Sequence, residues 1–113
     1  KVGVFSGSFW WRMTSKHGEY QDSDRIMHHL IDKGEYKDGL SFWFQAGTKD
    51  EEADRNNNGI IDAIDDTLDI IKSLKAKGYS EEDITYLEVE DGEHNFKTWS
   101  KVFPEFLKWA FDK

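Results

Sequence analysis

The chain has 113 residues, a formal net charge of −8 and no cysteine. This length suits a single domain or a domain fragment over residues 1–113. A content of 37% hydrophobic and 15% aromatic residues is too high for a disordered chain. The negative charge would repel nucleic acid and anionic membranes, so we expect neither as a partner. Disulfides and thiolate metal sites are excluded, and no apolar run approaches the roughly 20 residues that span a bilayer.

The first half of the chain predicts two strands with a helix between them. Val2 to Phe5 is short, apolar and β-favouring, and it runs into a Ser-Gly-Ser turn. After a polar loop over residues 12–21, Asp22 or Ser23 should cap a helix that ends near Gly34. The second strand is Leu40 to Ala46, whose nearly continuous apolar sequence suggests a sheet covered on both faces.

The second half predicts a long helix, a third strand and a C-terminal helix. Ile60 to Lys77 shows an apolar stripe at helical spacing, and Gly78 closes it. Ile84 to Val89 follows as a strand. Trp99 to Phe111 follows as an aromatic-rich helix, in which Pro104 should either cause a kink or lie near the first turn. The alternating order predicts the α/β class, with parallel strands between helices in three layers.

Two polar residues follow predicted strands and are candidates for a functional site. Asp50 comes shortly after the second strand, and His94 lies in a short Gly/Asn loop after the third. In open α/β sheets, functional groups gather beyond the carboxyl ends of the strands. Because imidazole titrates at about pH 6.5, His94 could accept and return a proton at neutral pH. The alternative for both residues is an ordinary solvated loop position.

Residues 54–65 match the spacing of the twelve-residue calcium loop, with Gly59 at the sixth position, where the sharp turn needs glycine. The last position holds Asp in place of Glu, as in the loops of dockerin modules, which this stretch resembles locally, and no helix precedes the loop. The alternative is an Asn-Gly turn with Asn58 or Asp62 capping the following helix. We expect a structural Ca²⁺ ion held by Asp54, Asn56, Asn58, Ile60, Asp62 and Asp65.

Three stretches of the chain carry a family resemblance: residues 4–11, residues 45–50, and residues 92–95 followed by Trp99. With them the whole chain resembles the C-terminal part of an α/β-hydrolase of the putative-esterase group, which includes enterochelin esterase-like and feruloyl esterase-like enzymes and relatives of esterase D. The resemblance implies the chain order nucleophile, acid, histidine. Asp50 would be the acid and His94 the base, with no cofactor in catalysis. The consecutive Phe9, Trp10 and Trp11 would wall the cleft for a small ester substrate; ordinary packing is the alternative.

The chain departs from this family in lacking the G-x-S-x-G elbow. Ser6 and Ser8 flank Gly7 without the elbow's glycines or its strand-to-helix context. We therefore expect a C-terminal fragment of a serine carboxylesterase that is inactive alone, its nucleophile lying before residue 1. Because three parallel strands leave two open edges, we also expect self-association or pairing with an N-terminal half. The compartment stays open, with a secreted or periplasmic location favoured over the cytoplasm.

Two other functions compete with the esterase interpretation. A non-catalytic, calcium-stabilised module could bind carbohydrate or protein on a platform of Trp10, Trp11, Trp43 and Trp99. It needs no nucleophile, but it gives no reason for an acid and a histidine to follow successive strands. A metal enzyme based on the histidines is the third interpretation. The adjacent His28 and His29 lie about 100° apart on a helix, and neither His17 nor His94 shows ligand spacing.

Overall fold

The computed structural model describes residues 1–13 and 21–112. The loop predicted over residues 12–21 falls largely outside this part of the chain, and His17 falls outside it. In the described part, strands and α-helices alternate in the predicted order. They are β1 (Val2–Phe5), α1 (Ile26–Lys33), β2 (Phe42–Lys49), α2 (Asp62–Lys77), β3 (Ile84–Glu93) and α3 (Phe96–Phe111).

The strands form one parallel sheet in the order β1-β2-β3. In the register of the sheet, Phe44 at the centre of β2 lies between Val4 of β1 and Tyr86 of β3. The middle of β2 is buried, as its nearly continuous apolar sequence predicts. Because the strands are parallel, the segments that follow them emerge at the same edge of the sheet.

Helices cover both faces of this sheet. On one face, α1 packs on α2, and α2 contributes three residues to the main hydrophobic cluster. That cluster consists of Phe9, Phe44, Ile70, Ile71, Leu74 and Tyr79. On the other face, Phe106 of α3 packs against Phe5 and Trp43, with ring centroids 5.4 Å apart in both pairs. The predicted three-layer α/β class is therefore confirmed. In the described residues, no helix has the length and apolar character needed to cross a membrane.

The start of α1 differs from the sequence-based expectation. Asp22 and Ser23 form a short 3₁₀ turn, and Arg25 occupies the N-cap position without a side-chain capping bond. The Arg25 guanidinium instead reaches across to α2, where it donates to Asp66. This tertiary contact holds the first turn of the helix in place of a local cap.

A buried ionic cluster, the Arg25–Asp66 cluster, joins α1, α2 and the loop before α2. Arg25 Nη1 donates to Asp66 Oδ1 at 2.7 Å and to Asp69 Oδ2 at 3.0 Å. Arg55 donates to both carboxylate oxygens of Asp66. Burial disfavours the charge on Arg25, but its hydrogen bonds to Asp66 and Asp69 outweigh burial and raise its pKa. The Asp66 side chain, only 2% exposed, thus accepts hydrogen bonds from both Arg25 and Arg55.

The C-terminal helix α3 begins earlier than predicted. The Asn95 side chain caps it by accepting the N–H of Thr98 at 3.1 Å. The preceding strand β3 continues to Glu93, beyond the predicted end at Val89. The connection between them therefore consists of His94 and Asn95 alone. Pro104 lies inside the helix rather than near its first turn.

Candidate functional site

A small cleft opens at the edge of the sheet where the three strands end. Its volume is about 250 Å³, slightly below the range of complete small-molecule sites. The described residues therefore form part of a pocket wall rather than a full enclosure. The lining residues come from the turn after β1, the segment after β2, α2 and the β3–α3 connection: Ser6, Gly7, Ser8, Trp10, Asp50, Glu51, Ala63 and His94.

Two glycines bring the ends of β2 and β3 into direct backbone contact. A Cβ atom at Gly47 would lie 2.2 Å from the carbonyl oxygen of Gly92, so a side chain there would force the strands apart. The strand register shifts between Gly47 and Lys49, immediately after this contact. The close approach explains how Asp50 and His94, which follow the two strands, come to line the same cleft.

The Asp50 carboxylate is held by donors from two segments. Gly47 N–H donates to its Oδ2 atom at 2.9 Å, and the Ser6 hydroxyl donates to its Oδ1 atom at 3.0 Å. The Asp50 N–H in turn donates to the Gly47 carbonyl at 3.1 Å. Within the described structure, His94 is not a donor to this carboxylate, but each carboxylate oxygen keeps a second lone pair for a further donor.

The His94 ring is exposed on one side and packed on the other. It contacts the Trp99 indole edge-on, with ring centroids 5.1 Å apart and an interplanar angle of 79°. Its backbone is held between the last residue of β3 and Asn95, the cap of α3. An imidazole in this setting is accessible to a proton donor or acceptor in the cleft.

Glu51 is a second carboxylic acid in this cleft. Burial raises its pKa, and the nearby charges of Asp62, Asp66 and Asp50 raise it further. In the sequence, Glu51 belongs to an acidic run after β2, and nothing in that run distinguishes it from solvated neighbours. Only the packing of this segment against α2 makes Glu51 part of the cleft wall.

A family model described as "Putative esterase" matches residues 1–110. The chain belongs to the putative esterase family. The resemblance to this family is confirmed, and the alternating parallel strands and helices fit the family's fold. The match includes both Asp50 and His94. No curated protein sequence and no solved structure matches the chain at a significant level.

The three consecutive aromatic residues of this esterase-family chain have different environments. Phe9 is buried in the core, where its ring packs edge-on against Phe44. Trp10 is exposed and lines the cleft. Trp11 is also exposed, although it is not among the residues that line the cleft. Three consecutive side chains cannot all face one core, and here only Phe9 does so. A substrate-binding role stays a prediction, for which the cleft geometry favours Trp10.

The alternative tryptophan platform is not formed. Trp43 is 2% exposed, because it lies under α3 in contact with Phe5 and Phe106. The indole N–H of Trp99 points inward and donates to the Ser6 hydroxyl at 2.9 Å. Of the four proposed platform residues, Trp43 therefore belongs to the core, and Trp99 uses its polar group inside the chain.

The loop predicted to bind calcium forms a tight turn before α2. The Asp54 carboxylate accepts the N–H groups of Asn58 at 3.2 Å and of Gly59 at 2.8 Å. Gly59 has φ +81°, the left-handed conformation that its place in the motif requires. The exposed Ile60 donates its N–H to the Asn58 side chain. The alternative, in which Asn58 or Asp62 caps the helix, is not observed, because α2 begins at Asp62 and Ile61 occupies its N-cap position.

The remaining predicted calcium ligands interact with one another and with Arg55. Side-chain N–H groups of Asn56 and Asn58 donate to Asp65 Oδ2 at 3.3 and 2.8 Å. Asp62 accepts the backbone N–H of Arg55 at 3.0 Å and pairs with its guanidinium at 3.2 Å. In the described part of the chain, no three His, Cys, Asp or Glu side chains converge as metal ligands. A Ca²⁺ ion bound by this set would require both asparagine amides to turn so that their oxygens face a common centre, and it would require Asp62 to move away from Arg55.

Proposed function

We propose that this chain carries the acid and the base of a serine esterase triad, with Asp50 as the acid and His94 as the base. The observation that supports this most is that both side chains, delivered by neighbouring parallel strands, line one cleft in a chain of an esterase family. In such a triad, the imidazole takes the serine proton and passes it to the leaving group. The carboxylate orients the ring and stabilises its cationic form.

The environment of the two side chains suits these roles. Asp50 is anchored by Ser6 and Gly47, which limits the directions its free lone pairs can take. His94 packs on Trp99 by one edge and keeps its other side open to the cleft. The hydrogen bond between Asp50 and His94 would form when the ring turns toward the carboxylate, as catalytic contacts often tighten only with substrate bound.

The nucleophile in this proposal is a serine outside these 113 residues. The sequence contains no G-x-S-x-G elbow. Ser6 is 5% exposed, and its hydroxyl donates to Asp50, whereas the nucleophile of a Ser-His-Asp triad donates to the histidine. The chain would therefore act as the C-terminal part of a carboxylic ester hydrolase.

The segment that carries this serine, or a second copy of the chain, would pack beside β1. This strand lies at the edge of the sheet, and parallel sheets are normally covered. An apolar groove of about 330 Å³ runs between β1 and α1. Met27 and Leu30, which line it, are 41% and 56% exposed. Covering this groove would remove apolar surface from water.

A hydrolysis assay on two polypeptides tests the proposal. The 113-residue chain alone should not turn over p-nitrophenyl acetate, whereas a longer polypeptide that adds a G-x-S-x-G segment should do so and react with a fluorophosphonate at that serine. Robust turnover by the 113 residues alone would contradict an external nucleophile. A monodisperse monomer in light scattering of the isolated chain at high concentration would contradict the proposed packing at β1.

We also propose that residues 54–65 hold a structural Ca²⁺ ion. Its support is the spacing of the oxygen side chains and the left-handed glycine at the turn position. The ion would connect the segment after β2 to the start of α2, and it would thereby stiffen the cleft wall that carries Asp50 and Glu51.

Addition of millimolar Ca²⁺ should raise the melting temperature of the chain and give a binding signal in calorimetry, with Mg²⁺ less effective. Both signals should be lost in Asp54→Asn, because position 1 of the loop supplies a charged ligand. Asp91→Asn, at an exposed acidic residue outside the loop, is the matched control. Identical titrations of the parent chain and Asp54→Asn would refute the site.

A further inference from the structure

We infer that Ser6 is a positioning residue. Its hydroxyl would link Asp50, the proposed acid, to Trp99, which packs against His94, the proposed base. This inference rests on the proposed function, since it names the residue that would fix the positions of Asp50 and Trp99 relative to each other. Ser6 follows β1, is 5% exposed, and lies at the point where the ends of β1 and β2 and the start of α3 meet. Its N–H donates to the Gln45 carbonyl at 2.8 Å, which anchors it to β2.

The hydroxyl of Ser6 is the link between two parts of the site. Its Oγ atom accepts the indole N–H of Trp99 at 2.9 Å and donates to Asp50 Oδ1 at 3.0 Å. Trp99 in turn packs against the His94 ring. A donor that is itself an acceptor is polarised by the second bond, so the bond to the carboxylate gains strength from the indole contact.

The neighbouring Gln45 leaves the Ser6 proton to Asp50. Gln45 Oε1 lies 3.4 Å from Ser6 Oγ, at the outer limit of a hydrogen bond, and Gln45 Nε2 is buried without a partner among the described residues. Turning this amide by 180° would make it a donor to Ser6. A hydroxyl has two acceptor lone pairs and one proton. With the amide turned in this way, Trp99 and Gln45 would occupy the two lone pairs, and the Asp50 carboxylate, 3.0 Å away, would be the acceptor for the proton.

The backbone of Ser6 indicates that this position serves the hydroxyl. Ser6 has φ +48°, a left-handed conformation that glycine adopts at less cost than serine. Serine therefore occupies a strained position that it would leave to glycine if the turn alone were required. The strain is offset by the two hydrogen bonds of the side chain.

The activity test compares Ser6→Ala and Ser6→Gly in the longer, serine-containing polypeptide. Both are expected to lower kcat about 10²-fold with little change in KM, because a misplaced catalytic group costs rate rather than binding. Ser6→Gly distinguishes the effect of the hydroxyl from that of backbone strain. Glycine removes the side chain but adopts the positive φ without strain. Ser100→Ala, an exposed serine of α3 whose hydroxyl bonds only to its own helix, is the matched control and should leave kcat unchanged.

A second readout does not depend on activity. In the 113-residue chain, the Trp99 indole N–H, assigned in NMR spectra with Trp99→Phe, should exchange with solvent about tenfold faster in Ser6→Ala than in the parent. Unchanged exchange would refute the hydrogen-bonded link itself. Full kcat in both Ser6 variants, with Asp50→Asn inactive, would overturn the positioning role and leave the proposed function standing. Labelling of Ser6 by a fluorophosphonate would make it a nucleophile and refute both.

Discussion

Replacing Asp50 with Asn should lower kcat for ester hydrolysis about 10⁴-fold in the serine-containing polypeptide, as the equivalent change does in a serine protease triad. The reason is electrostatic: an amide cannot stabilise the imidazolium that forms on His94, and it can also select the wrong tautomer. KM should change little, because Asp50 would act on the ring and not on the substrate. Steady-state kinetics with a chromogenic ester measure both constants.

This experiment needs evidence that the variant remains folded. Asn keeps one carbonyl oxygen for either Ser6 or Gly47, so one donor loses its acceptor and the stability should fall by about 1–3 kcal/mol, with the cooperative urea transition retained. Asp91→Asn is the matched control, because Asp91 pairs with Lys49 on the surface with its side chain 68% exposed. Asn also tolerates the left-handed φ of +59° at this position. If Asp50→Asn retained more than a tenth of the parent kcat, Asp50 would not be the acid.

Replacing Asp66 with Asn should destabilise the fold by about 3–5 kcal/mol, the range for removing one partner from a buried ion pair. Asp66 is the shared acceptor of Arg25 and Arg55, and its side chain is only 2% exposed. The substitution leaves buried positive charge without its closest compensation. For a domain whose stability is about 5–15 kcal/mol, this loss is a large fraction of the total. Urea unfolding followed by tryptophan fluorescence measures it.

Asp69→Asn is the matched control for Asp66→Asn. Asp69 accepts from the same Arg25 atom at 3.0 Å, but its side chain is 42% exposed. Water can replace that bond, so the control should cost no more than about 1 kcal/mol. Equal losses in the two variants would show that burial of Asp66 does not set the stability of the cluster. A loss below about 1 kcal/mol for Asp66→Asn would show the same.

The hydrophobic pattern was sufficient to predict the layers of this fold. The apolar run in β2 indicated a strand covered on both faces, and the stripe in α2 indicated the helix that covers one of them. Both signals are local, since they follow from the repeats of 2.0 and 3.6 residues that strands and helices impose on side chains. The endpoints of α1 and α3 were less predictable, because Arg25 is held by a distant carboxylate and the Asn95 cap follows a strand that continues past its predicted end.

The candidate site was only partly visible in the sequence. Asp50 and His94 were identifiable because each is a chemically capable residue placed just after a strand. In the sequence, Ser6 is a serine without the elbow motif, and Glu51 is one acidic residue among several. Their places in the cleft arise from contacts at long sequence separation, such as the bond between Ser6 and Trp99. No local pattern encodes such a contact.

The sequence by itself determined the α/β class, the element order and the two residues most suited to acid–base chemistry. The tertiary structure decided which groups meet. The contact between Gly47 and Gly92 draws two strand ends together, and the Ser6 hydroxyl then joins Asp50 to Trp99. The physical reason is that periodicity and turn chemistry act over a few residues, whereas a hydrogen bond forms only after the whole chain has packed.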